Sequence, residues 1–76
     1  MKERYYFTEL AGALGRAIQC DVGLEGLDTM LSGWLRKGVV SRETLRQRKA
    51  RDGEAWLNPY EALSLSEYVG YDLTVE

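Results

Sequence analysis

Between Arg36 and Arg51 the chain reads RKGVVSRETLRQRKAR, and this stretch constrains the fold more than any other. Gly38 is placed to end a helix in the left-handed conformation that side chains resist, and Ser41 is placed to start another. Gly53 is a matching stop for the second helix. The chain must therefore turn between two helices here. The second, residues 42–52, has only Leu45 and Ala50 as apolar residues. Around them stand Arg42, Arg46, Arg48, Lys49 and Arg51, with Arg36 and Lys37 just before the turn and Glu43 as the single acid, a net charge of +6. Helix propensity here is good, but packing alone does not account for so much charge on one short helix.

The whole chain of 76 residues carries −2, so everything outside this stretch sums to −8. Most of that lies in residues 52–76, where Asp52, Glu54, Glu61, Glu67, Asp72 and Glu76 stand without one base. A layout of this kind attracts a charged partner with one face and repels it with another. With 45% apolar and 29% charged residues, the composition is that of a folded soluble chain rather than a disordered one. One small domain, 1–76, is expected, and its limited core makes a homodimer an attractive way to add buried surface. No apolar run approaches the ~20 residues of a membrane span. The opening MKERYYFTE has no uninterrupted apolar core of a secretory signal. A lone Cys20 cannot close an internal disulfide, and a reducing cytoplasm suits it best.

The residue inventory also removes most chemistry. With no histidine and one cysteine, the usual zinc ligand sets and histidine-based triads are excluded within one chain. The eight glycines are scattered and form neither GxGxxG nor a phosphate loop ending in Gly-Lys-Ser/Thr. No two carboxylates share an apolar setting that would split their pKa values for acid/base work. A non-enzymatic protein with no cofactor and no metal is expected.

Read in order, Arg4-Tyr5-Tyr6-Phe7 is a candidate short strand. Phe7, Leu10, Ala11, Leu14, Ala17 and Ile18 then keep helical spacing, with Thr8 as N-cap, Glu9 in the first turn and an end near Gln19 or Cys20. Gly12 and Gly15 within that helix point to close packing. The cleanest amphipathic run is Leu24, Leu27, Met30, Leu31, Trp34 and Leu35, which predicts a core helix over 24–37. After the basic helix, Ala55-Trp56-Leu57 reads as a short strand or extended joint. Asn58-Pro59-Tyr60-Glu61 reads as N-cap, proline at N1 and glutamate at N3. Ser64 with Glu67 is a competing cap, leaving 59–69 as one helix or as a turn and a helix, closed by Gly70. Tyr71, Leu73 and Val75 alternate with polar residues and predict a half-buried strand that pairs with Trp56-Leu57 or with Tyr5-Tyr6. The fold expected is mainly α: a compact domain of three helices plus a short fourth, with a helix-turn-helix-like pair and room for a short β pairing near the termini.

Two functions compete. In the first, helix 24–37, turn 38–40 and helix 41–52 form the helix-turn-helix-like pair, and the second helix enters a DNA major groove. Arg46 and Gln47 have side chains suited to guanine and adenine edges. Arg36, Lys37, Arg42 and Lys49 are candidates for phosphates, and Arg48 and Arg51 complete the candidate nucleic-acid-binding set. The stretch VSRETLRQR resembles recognition helices of bacterial repressors, which implies a small DNA-binding regulator of bacterial or phage type. FTELAGALG, residues 7–15, resembles the opening helix of a helix-turn-helix, but Arg16 and Asp21 stand where that motif has apolar residues. In the second, the chain is a protein-binding module, such as a phage-encoded inhibitor of a host complex that handles nucleic acid. Its surface would draw on Trp56, Tyr60, Glu61, Glu67, Tyr68 and Tyr71. Against both stands a plain alternative: the bases of 42–51 pair with the acids of 52–76 in the same molecule. Trp34 is assigned to the core and Cys20 to an unreactive role.

Overall fold

The computed structural model describes residues 2–74. In chain order these form β1 (Tyr5–Tyr6), α1 (Phe7–Ile18), α2 (Leu24–Leu35), α3 (Arg42–Asp52), β2 (Trp56–Leu57) and α4 (Pro59–Val69). The domain is mainly α, with one short antiparallel pairing of Tyr5 with Leu57 and Tyr6 with Trp56. That pairing closes the N-terminus onto the joint between α3 and α4. Phe7 N–H extends it by donating to the Ala55 carbonyl at 3.1 Å.

The core collects Leu10 and Leu14 from α1, Leu27 and Trp34 from α2, Leu57 from β2 and Leu65 from α4, all fully buried. Trp34 also satisfies its one polar atom, donating from Nε1 to Ser64 Oγ at 3.1 Å. Helix α3 adds only Leu45 to this core. The radius of gyration, 11.4 Å, equals what a close-packed chain of this length should have, about 11 Å.

Helix α1 runs uninterrupted, as its spacing predicts, with Ala13 buried and Ala17 exposed. Its start differs from expectation. Thr8 is no cap; the preceding Tyr6 holds that position without a side-chain bond. The open helix end is closed from across the fold instead. Glu54 Oε1 accepts the Thr8 N–H at 2.9 Å and the Thr8 hydroxyl at 2.7 Å. A carboxylate there satisfies a donor with no partner inside the helix and suits the positive end of the helix dipole. Close packing does explain Gly15: a Cβ there would lie 2.8 Å from the Cys20 carbonyl oxygen, in the turn that ends α1. Cys20 itself is exposed.

Helix α2 stops at Leu35, shorter than its pattern predicts. Lys37 N–H donates to Trp34 O at 2.9 Å and Gly38 N–H to Leu35 O at 3.1 Å, so the last turn tightens before Gly38 takes its positive φ of 79°. The connection to α3 is therefore residues 36–41 rather than a turn confined to 38–40. Helix α4 is a single helix. Asn58 and Glu61 form the reciprocal capping box over Pro59, and Ser64 lies inside the helix.

The strand expected over 71–75 does not form within the described residues; Val75 and Glu76 lie outside them. The backbone donors are taken locally. Gly70 N–H and Tyr71 N–H both donate to Ser66 O, Leu73 N–H donates to Ser66 Oγ at 2.9 Å, and Thr74 N–H donates to Asp72 Oδ1. The segment thus folds back over the end of α4 and buries Leu73, while Tyr71 stays exposed. The alternation seen in the sequence marks a turn with one buried leucine.

Candidate functional site

The seven bases of 36–51 separate into three groups. Arg48 is internal. Its guanidinium donates to both carboxylate oxygens of Glu61, at 2.7 and 3.3 Å, and to the Trp56 carbonyl at 2.9 Å. It also lies 4.2 Å from the Trp56 ring centroid, and so does the guanidinium of Arg4. The Arg48 and Glu61 side chains keep only 12% and 9% of their surface in solvent, so this pair belongs to the interior. Glu61 Oε1 accepts the Asn58 N–H as well, so one carboxylate starts α4 and anchors α3. Arg48, expected in the nucleic-acid-binding set, is taken out of the exposed set by this network.

Arg46 forms the second group. It pairs with Glu43 one turn earlier on the open face of α3, where both remain well exposed. The third group is Arg36, Lys37, Arg42, Lys49 and Arg51, all exposed and, among the described residues, without an ion pair. Arg42 donates to Ser32 Oγ at 3.2 Å, a bond that ties the start of α3 to α2. Lys37 lies 5.6 Å over the Tyr68 ring. Gln47 is exposed on the same outer surface.

The geometry follows from the helix period. With Leu45 turned inward, Arg48 lies on one flank and Arg42 and Lys49 on the other, while Arg46, Gln47 and Arg51 point away. The Arg48 flank rests on β2 and α4. The opposite flank lines an open groove between α3, α2 and the start of α1, to which α3 contributes Arg42, Leu45, Arg46 and Lys49.

Three acids of the C-terminal third, Asp52, Glu54 and Asp72, are engaged elsewhere. Asp52 accepts from Trp56 Nε1 at 2.9 Å and pairs with Arg4 at 3.1 Å. The Trp56 bond first, and the Arg4 bond next, hold its carboxyl below the usual carboxylate range. The Thr8 hydroxyl, then the Thr8 N–H, do the same for Glu54. The hydroxyl of Thr74, then its N–H, lower Asp72. Of the protein-binding set, Glu61 is buried and Trp56 half-buried under its two arginines. Tyr60 is 84% exposed, and Tyr68, Tyr71 and Glu67 are also on the surface.

Sequence reasoning did not single out Arg4, Ser32 or the groove wall at Leu24 and Phe7. A signal for the groove was present. Helix α2 carries a full apolar stripe, and the next helix offers one leucine to cover it. Among the described residues no cluster of three His, Cys, Asp or Glu side chains is placed to hold a metal ion, and no helix is long and apolar enough to cross a membrane. No family model matches the chain, and no curated protein or solved structure matches it either.

Proposed function

We propose that this chain is a small non-enzymatic DNA-binding regulator that uses the open surface of α3 and the basic connection before it. The observation that carries this reading is the failure of internal neutralisation. Among the described residues, only Arg48 of the seven bases is bonded to an acid of the C-terminal third. Five others have no carboxylate partner among the described residues, which leaves a cationic surface whose charge is not neutralised by an ion pair. Arg36, Lys37, Arg42, Lys49 and Arg51 would meet phosphates, and Arg46 and Gln47 would face base edges. Arg46 would exchange Glu43 for the nucleic acid on binding.

A mobility shift on mixed duplex DNA at two salt concentrations tests this. Micromolar protein should retard the duplex at low salt and lose it steeply as salt rises. The double substitution Lys49→Ala and Arg51→Ala should weaken binding across sequences and lower the salt slope by about 1 for each phosphate contact removed. Absence of any shift at low salt would end the proposal. A second reading, a protein-binding module that inhibits a host complex, draws support from Tyr60, which is 84% exposed at the start of α4, and from Glu67, Tyr68 and Tyr71, which are exposed at or just after its end.

A further inference from the structure

We infer that the groove between α2 and α3 binds a free medium-chain fatty acid: an apolar body with a single carboxylate head. The open groove offers about 460 Å³, within the range of roughly 300–1,000 Å³ typical of small-molecule sites. Its apolar wall is Phe7, Leu24, Leu31, Leu35 and Leu45. Leu24, at the start of α2, is left 50% exposed there, although it continues the core stripe of that helix. Three cations, Arg42, Arg46 and Lys49, face two acids, Asp28 and Glu54, so the lining carries a surplus of one positive charge. Arg42 is held by Ser32, Arg46 by Glu43 and Glu54 by Thr8. Lys49 has no ion pair among the described residues and is the natural seat of an anionic head. Asp28 and Glu54 oppose a second negative charge, which selects a monocarboxylate over a dicarboxylate.

A protein helix laid on this groove would seat only the side chains of one face in it, and an acidic amphipathic helix is therefore the competing occupant that the test below must separate. A nucleic-acid strand would use the cations and leave the leucines unused. This inference goes beyond the DNA-binding reading and does not depend on it, although Arg42, Arg46 and Lys49 belong to both.

Decanoate, kept below its micelle threshold, is the probe, with amide chemical shifts of the ¹⁵N-labelled chain as the readout. Saturable, one-site shifts are expected at Leu24, Leu35, Leu45 and Lys49. Lys49→Glu should weaken binding by about tenfold or more, since it places a like charge against the head. Leu24→Asn should weaken it through the body, and decanol should bind less well than decanoate. Both substituted residues are exposed, and unchanged shifts elsewhere verify that the variants fold. Shifts that never saturate, that spread to the tyrosines of α4, or that are equal in Lys49→Glu would overturn the site. So would an acidic amphipathic peptide that occupies the groove while decanoate does not.

Discussion

Helices α2 and α3 have nearly the same length, twelve and eleven residues, and are secured in opposite ways. Helix α2 has no side-chain cap and is held by Leu27, Leu31 and Trp34, three buried side chains along one stripe. Helix α3 has one buried leucine. Its ends are fixed instead: the Ser41 side chain accepts the Thr44 N–H at 3.1 Å, and Gly53 closes the other end with a φ of 81°. Between them the Arg48–Glu61 bond clamps one flank to α4. The difference teaches why α3 can be so charged. A helix secured by its ends and one internal ion pair owes nothing to its outer surface, which is then free to take any composition.

That contrast can be broken at four places. Trp34→Ala should have the largest effect, about 3–5 kcal/mol in urea denaturation, because it empties the widest part of the α2 stripe. Against a total of roughly 5–15 kcal/mol for a typical domain, much of the fold would be lost. Glu61→Ala should follow at about 3 kcal/mol, since it strands an interior guanidinium and removes half of the α4 capping box. Thermal melts should show a double change, Arg48→Met with Glu61→Leu, recovering most of that loss; additive losses would mean the clamp is no clamp. Ser41→Ala should cost about 1 kcal/mol, read as faster amide exchange confined to the first turn of α3.

The smallest effect is that of acid. The Asp52 and Glu54 carboxyls lie below their ordinary values in the fold. The stability they add is therefore complete above the unfolded carboxylate range and fades as pH falls through their folded pKa values. Carboxyl carbon shifts followed during acid titration should show both titrating below the ordinary carboxylate range, and the β1–α1 corner should loosen first. A corner that survives protonation of both would show that the strand pairing alone holds it.

The sequence carried the parts of this structure that single residues determine. Ser41, Gly53, Gly70 and the Asn58-Pro59-Glu61 box set helix ends through chemistry local to a few residues, and each stands where it was expected. What escaped was long-range. The cap of α1 comes from Glu54, 46 residues away from Thr8, and no local pattern announces it. Periodicity placed Arg48 on a flank but not which flank met Glu61 and the Trp56 carbonyl. The alternation at Tyr71 and Leu73 satisfied a strand template because a turn that buries one leucine in the middle looks the same. Of the candidate site, the charge was legible directly and the groove beside it only indirectly, as an apolar stripe on α2 followed by a helix with one leucine to cover it.

Trp56 gives the molecule a built-in gauge. Its indole touches the guanidinium that fastens α3 and also bonds to the last residue of that helix, whereas Trp34 is sealed in the interior. Loosening of α3 should therefore alter the emission of one indole and spare the other. A Trp34→Phe background would let light report, without any attached dye, whether that helix stays seated while its outer surface is occupied.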